Sequence, residues 1–229
     1  MNKSRELTIT GSMSSNISLI ITEKGGSIRK RLISMITKSY PNGPEKRLIK
    51  FIEPADVKGT ALLIIDNKNI PDEMWIYLPA LKKTRRIVSS EKGKSFMSSE
   101  FSNSDMSSPA LSDFTYKHLT ASGENKQWII ESTPVNSEKA DEYGYSKKVS
   151  YIASDSWQIK KMEYYNFDNK LFKIVEVKAI KLLEGSNYVI SDMIANNLLN
   201  GRSSEIMIEK IVTNVTIEDS NFSLQNLER

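Results

Sequence analysis

The chain has no cysteine and a single histidine, His118, in 229 residues. The first absence excludes disulfides and thiolate metal sites, and fits a cytosolic protein and a cysteine-poor exported one equally well. With one imidazole, a metal site would have to be built from carboxylates, and no clustered spacing of Asp and Glu supports one. Glu53/Asp56 and Glu100/Asp105 are close in sequence, but nothing makes them converge. There is no G-x-S-x-G elbow for a serine nucleophile, and no Gly-rich phosphate loop following a strand. Catalytic residues, metals and cofactors are therefore all expected to be absent, and the chain does not read as an enzyme. No apolar run reaches the roughly 18 residues a membrane-spanning helix needs. A signal peptide is lacking too, because Met1-Asn2-Lys3-Ser4 leads straight into polar residues. That leaves a cytoplasmic protein or a mature region with an added start Met. The formal charge of +4 is mild, and neither a dense basic face nor an RNP-like motif argues for nucleic acid.

What the chain does have is period-two apolar alternation broken by turn residues. Ile17–Thr22 stops at Gly25-Gly26, Ile28–Lys38 at Pro41-Asn42-Gly43-Pro44, and Arg47–Ile52 at Pro54. Thr60–Ile65 and Met74–Leu78 follow, separated by Asp66–Asn69 and Pro71-Asp72. After a lapse come Gln127–Ser132 and then a meander: Ser146–Ala153, Trp157–Phe167, Leu171–Leu182, Asn187–Ala195 and Ser204–Val215. Asp168-Asn169 is a hairpin signal within it, and Glu184-Gly185 and Asn200-Gly201 mark its later turns. The tail Phe222–Leu227 reads as a short strand or a cap. A sheet of roughly ten strands or more cannot stay flat, so the expected fold is mainly β: a single antiparallel sheet that curls toward a barrel. No domain boundary or repeat stands out, so residues 1–229 are expected to form one domain.

The exception is Ser89–Lys126, far beyond the about 12–15 residues of an ordinary structureless loop. It is polar, yet it carries Phe96, Met97, Phe101, Met106, Leu111 and Phe114. A short helical lid over about residues 89–126 is expected, with helical turns within Ser102–Asp105 and Pro109–His118 and Ser104 or Ser108 as N-caps.

Read singly, Trp75, Tyr77, Phe96, Met97, Phe101, Met106, Phe114, Trp128, Met162, Tyr164 and Met193 are ordinary core residues. Taken together, one apolar sheet face with few helices to cover it leaves either a barrel closed on itself or a cavity for something apolar. Met and aromatic walls suit a flexible ligand. The basic cluster Lys82, Lys83, Arg85 and Arg86 reads as a solvated turn, or as a contact for an anionic head group or an acidic partner.

Three strings carry a resemblance: FIEPADVKGTALL (Phe51–Leu63), WIYLPALKKTRRI (Trp75–Ile87) and SFMSSEF (Ser95–Phe101), with FSLQNLER at the C-terminus. They resemble the LolA-like outer-membrane lipoprotein-sorting family, and within it the branch found alongside RND-type lipid exporters of Gram-negative bacteria. The similarity runs from about Ile17 to the end. The chain departs from the family at Ser98, where Gly is usual, and at Asn103 and Ser104, where an aromatic and then an acidic residue are usual. The opening helix is absent or truncated before Arg5. The resemblance implies an unclosed antiparallel β-barrel of LolA/LolB type, with a helical lid and an apolar cavity that receives acyl chains. It also implies an exported, periplasmic protein whose signal has been removed. Lipid or lipoprotein acyl chains, an RND-type inner-membrane transporter and a peripheral membrane contact are the implied partners. A periplasmic adaptor with a filled interior and a lipid-acting enzyme stay open beside the carrier.

Overall fold

The computed structural model describes residues 1–8, 11–68, 70–119, 127–183 and 187–228. A short helix, α1 (Asn2–Glu6), precedes β1 (Ser12–Thr22), β2 (Ile28–Ser39), β3 (Glu45–Glu53), β4 (Ala61–Asp66), β5 (Glu73–Leu78) and β6 (Lys83–Arg86). Helix α2 (Ser89–Lys92) opens an irregular stretch that ends at β7 (Phe114–Leu119) and β8 (Gln127–Pro134). Helix α3 (Ser137–Tyr143) is followed by β9 (Lys147–Ala153), β10 (Ile159–Tyr165), β11 (Leu171–Leu182), β12 (Tyr188–Asn197), β13 (Ser203–Thr213) and α4 (Leu224–Leu227). The strands make one 13-stranded sheet in the order β6-β5-β4-β3-β2-β1-β13-β12-β11-β10-β9-β8-β7. Its end strands, β6 and β7, do not pair with each other, so the sheet is not closed into a barrel. The mainly β, unclosed antiparallel fold with few short helices is as expected.

Three local expectations need correction. The basic cluster is not a turn: Lys83, Arg85 and Arg86 lie on edge strand β6, and only Lys82 is a turn residue, in the left-handed region. The lid is shorter than 89–126, because Phe114–Leu119 is a strand paired to β8 and the helical turn near it spans only Leu111–Asp113. Residues 120–126 lie outside the described residues. The turn at Asn103–Met106 is capped by Ser102, not Ser104 or Ser108: the Ser102 hydroxyl accepts from the Asp105 amide while the Asp105 carboxylate accepts from the Ser102 amide. This reciprocal pairing satisfies two backbone donors at once.

Contacts divide the chain into two compact units, one of residues 10–20, 29–88 and 206–229, the other of residues 1–9, 21–28 and 89–205. In the first, Leu48, Leu63 and Ala61 face the same side of neighbouring strands. Ile217, Phe222 and Leu227 pack onto them, with Trp75 and Tyr77 against the same cluster. The C-terminal stretch is therefore a cap, held also by Lys38 Nζ on the Ile217 carbonyl at 2.8 Å. On the opposite side of β4, Leu62 and Ile64 are fully buried. A strand covered on both faces has no polar positions to alternate, which explains the unbroken ALLII run. The turn before it, Pro54–Gly59, needs Gly59 at φ +80°.

In the second unit β7 to β12 form a meander. Phe114, Tyr143, Tyr145 and Tyr164 make a chain of ring contacts 4.8–6.4 Å apart. Helix α3 starts on Asn136, whose side chain accepts from the Lys139 amide, and ends on Gly144 at φ +79°. That glycine lies against Gly93: a Cβ on Gly93 would come within 2.7 Å of Gly144 Cα. The polypeptide after α2 therefore passes α3 with backbone on backbone.

Candidate functional site: a latched lid over a mixed apolar and polar face

Strand register assembles the site. Tyr116, Ser132, Lys148, Tyr164, Lys173 and Asn197 stand directly opposite one another on β7 to β12. Directly paired residues share a face, so these six form one polar and aromatic row. The next row on that face is His118, Ile130, Ser150, Met162, Val175 and Ala195. Trp128 and Met193 lie two residues farther along β8 and β12 on the same side. Register thus gathers five of the expected lining residues, Phe114 (two residues before Tyr116), Trp128, Met162, Tyr164 and Met193, on one face.

The segment from Ser89 to Asp113 lies on this face through three acid contacts. Glu100 accepts from Asn197 Nδ2 at 2.7 Å and pairs with Arg202 at 3.2 Å, while its amide donates to the Ser204 hydroxyl at 2.9 Å. Asp105 holds Lys173 Nζ at 2.7 Å and accepts from Tyr164 Oη at 3.3 Å. At its root, Lys92 Nζ meets Glu142 at 2.5 Å, both side chains buried. Burial alone would raise the Asp105 carboxyl, but the Lys173 charge and the bonds from Lys173 and Ser102 hold it below its usual range. Burial also opposes the charge on Glu142, and bonds from Lys139 and Lys92 overcome it in the same direction. Tyr164 is pushed well upward by burial and by Asp105. Asp105 against the row and Glu142 at the root of the segment are thus held ionised at neutral pH.

The tip of the segment is a tight turn. Phe96 N donates to Phe101 O at 2.8 Å and Ser99 N to Phe96 O at 2.9 Å. Met97 and Ser98 have φ of +49° and +61°. Two consecutive left-handed residues are what a type I′ turn requires, which explains why glycine suits the Ser98 position. Phe96 and Phe101 point inward, each 1 % exposed, while Met97 and Met106 are half-buried.

Trp75, Tyr77 and the basic cluster are placed elsewhere, and Phe114 and Trp128 also meet other rings. Trp75 and Tyr77 belong to the cluster under the C-terminal cap. Phe114 sits in the tyrosine chain. Trp128 is 39 % exposed and stacks on Trp157 at 5.9 Å, with Lys3 over the Trp157 ring. Lys82, Lys83, Arg85 and Arg86 are exposed, and Thr84 between them donates to Glu228 at 2.7 Å. Sequence reasoning misses Lys148 and Lys173, and it notes Glu100 and Asp105 only as neighbours that nothing makes converge. A lysine in a strand gives no signal of its own, and only the register brings these groups under the lid. Among the described residues no group of three His, Asp or Glu side chains is placed to hold a metal ion.

Known proteins of this architecture match nearly the whole chain. A family model described as "Uncharacterized protein" matches residues 43–229. A domain named for outer membrane lipoprotein sorting, from Vibrio parahaemolyticus, superposes with a TM-score of 0.90 at 25 % identity, covering 100 % of this chain and 96 % of that one. A DUF1329 family protein from Desulfovibrio piger gives 0.88 at 25 % identity over 99 % and 95 %. The chain belongs to the LolA-like lipoprotein-sorting family. A LolA superfamily protein from Nitrosomonas europaea, at 16 % identity and a TM-score of 0.75 over 98 % and 96 %, shares the fold. No curated protein sequence matches. The strings that resemble this LolA-like family occupy the Pro54–Gly59 turn, the β5–β6 hairpin and the lid tip, so they mark how the chain turns and how the lid is folded.

Proposed function

We propose that this chain is a periplasmic carrier that shields the acyl chains of a lipid or lipoprotein, working with an RND-type transporter. The observation that carries the reading is the lid: a segment with inward Phe96 and Phe101, held by a few acid contacts over a face bearing Met162, Val175 and Met193. The LolA-like lipoprotein-sorting fold supports it. We take the whole chain to act as one lipid-binding domain, with residues 89–113 as the moving part.

The task is transfer without chemistry. Moving a ~16-carbon chain from water to an apolar site is worth roughly 10 kcal/mol at about 0.8 kcal/mol per methylene. A bilayer offers nearly the same gain, so the carrier need only come close to matching it. Opening or closing a lid held by a few ion pairs then tips the balance. The exposed Lys83, Arg85 and Arg86 on edge strand β6 supply positive charge for the transporter or for anionic lipid heads. The exposed Trp128 gives the molecule an aromatic contact for a membrane surface.

A second reading has its own support. The Trp75/Tyr77 face is filled by the C-terminal cap, as expected of a periplasmic adaptor that docks by its surface and carries no lipid. Displacement of a fluorescent long-chain fatty acid separates the two, since a carrier gives saturable binding and an adaptor none. Native mass spectrometry of protein purified from an extract should show a lipid adduct. Its absence together with no saturable binding would overturn the carrier reading.

A further inference from the structure

The lid supplies acids to one end of the polar row and none to the other. Asn197 meets Glu100, and Lys173 and Tyr164 meet Asp105. Lys148, next along, has no carboxylate partner among the described residues. Its Nζ lies 5.9 Å from the rings of Phe114 and of Tyr164, and burial pushes its ammonium down, with Lys173 adding to the effect and Asp105 opposing it. Beside it opens a pocket of about 200 Å³, walled by Leu111, Phe114 and Ile159 and reached by Ser4, Arg5 and Ser132. No Asp or Glu lines it. Among the described residues Arg5 donates only to neutral carbonyls, Pro109 O at 2.9 Å and Ser108 O at 3.4 Å, so none of them neutralises its charge. The hydroxyls of Ser4 and Ser132, in residues 1 % and 2 % exposed, have no hydrogen-bond partner among the described residues. Buried polar groups are ordinarily paired. Two unpaired hydroxyls, one unpaired ammonium and one un-neutralised guanidinium around the same hollow describe a site short of an anion.

We propose that this pocket receives the anionic head of an acyl ligand, a carboxylate or a phosphate, on Lys148, with the Ser132 and Ser4 hydroxyls donating to it and Arg5 adding charge. The first carbons of the chain then lie against Phe114, Leu111 and Ile159. Since a 150 Å³ cavity takes a benzene-sized ligand, this one takes about eight heavy atoms: a carboxylate and about five carbons, or a phosphate and about three. The rest of a longer chain continues over Ile130, Ile152 and Met162 on the same face. The assignment names the cargo class of the carrier proposed above and rests on that reading.

Calorimetric titration of the full chain with octanoate, octyl phosphate and 1-octanol tests it. The anions should bind at least about tenfold more tightly than the alcohol, as a charge-assisted contact requires. Lys148→Met, which keeps the stem and removes the charge, should bring the anions to the level of octanol while octanol binding holds. Ser132→Ala should weaken the anions only. A phosphate preferred over a carboxylate assigns a phospholipid-like head, and the reverse a fatty-acid-like one; either upholds the proposal. Equal binding of alcohol and anions, no binding of any, or an anion preference that survives Lys148→Met would overturn it. Saturable long-chain binding that is indifferent to Lys148→Met would remove this site and leave the carrier reading standing. Loss of all long-chain binding by the unaltered protein would remove the carrier reading itself.

Discussion

Asp105→Asn is the most informative single change in the lid. The substitution keeps the side-chain size but leaves Lys173, 5 % exposed, without a counterion. Breaking a buried pair from one side costs about 3–5 kcal/mol, because the remaining charge stays desolvated. Opening the lid lets Lys173 reach water, so the closed state bears this cost and the open state does not. At about 1.4 kcal/mol per decade, the opening equilibrium should rise by roughly two to three and a half decades. The lower end is expected, since the amide can still accept from the Ser102 backbone. The Phe96, Ser99 and Asn103 amides report on it: they donate to Phe101 O, Phe96 O and Lys94 O at 2.8, 2.9 and 2.9 Å, all within the lid. Hydrogen exchange on peptides covering residues 94–106 should accelerate about a hundredfold or more in Asp105→Asn, with β9 and β10 unchanged. The double variant Asp105→Leu/Lys173→Met, which replaces the pair with apolar groups, should return exchange close to the unaltered protein. If the single variant exchanges within about threefold of the unaltered protein, or the double variant is as open as the single, the latch is not what holds the lid.

The same latch sets a pH dependence. The Asp105 carboxyl is held below its ordinary range, so its contribution is fully present above the unfolded carboxyl value near 3.9 and is lost as pH falls through the lower folded value; lid exchange corrected for its intrinsic pH rate should be flat from pH 7 to 5 and rise only in stronger acid, and the double variant should not show that rise. Lys148→Met removes a half-buried charge that has no carboxylate partner among the described residues and should raise the melting temperature by a few degrees, at about 2–4 °C per kcal/mol for a chain of this size, as read by calorimetry. Phe222→Ala empties part of the core under the C-terminal cap and should cost about 3–5 kcal/mol in denaturant unfolding. Gly93→Ala drives a methyl onto Gly144 at 2.7 Å and should cost about 1–3 kcal/mol, whereas alanine at Gly25, with nothing within 4 Å of its Cβ, should not show this clash penalty.

The interior strands were legible in the sequence because burial imposes a period on them. Leu48, Leu63 and Leu62 alternate or run together according to whether one face or both are covered. The edges were not. In β6 the residues are Lys-Thr-Arg-Arg, and in β7 only Phe114 is buried, so neither carries an apolar period; edge strands favour charge that discourages further pairing. Helix α3 had its signals, Asn136 before it and Gly144 after it, but seven residues hold less than two turns of periodicity. The lid segment showed itself by Phe96 and Phe101 in a polar context, while its latches did not. Asp105 and Lys173 are 68 residues apart in the chain, and no local pattern links them. For the same reason Trp75 and Tyr77 read as lining residues alongside Tyr164, although they pack beneath a different cover.

The glycine-on-glycine crossing at Gly93 and Gly144 leaves no room for a side chain to slide or rotate between α3 and the strand of backbone it touches. With Lys92 bound to Glu142 immediately before it, the polypeptide is pinned at that point as a door is pinned at its hinge post. In the carrier proposed above, a swing that admits cargo would pivot after Gly93, and the arc of the cover would be set by the length from Lys94 to Asp113.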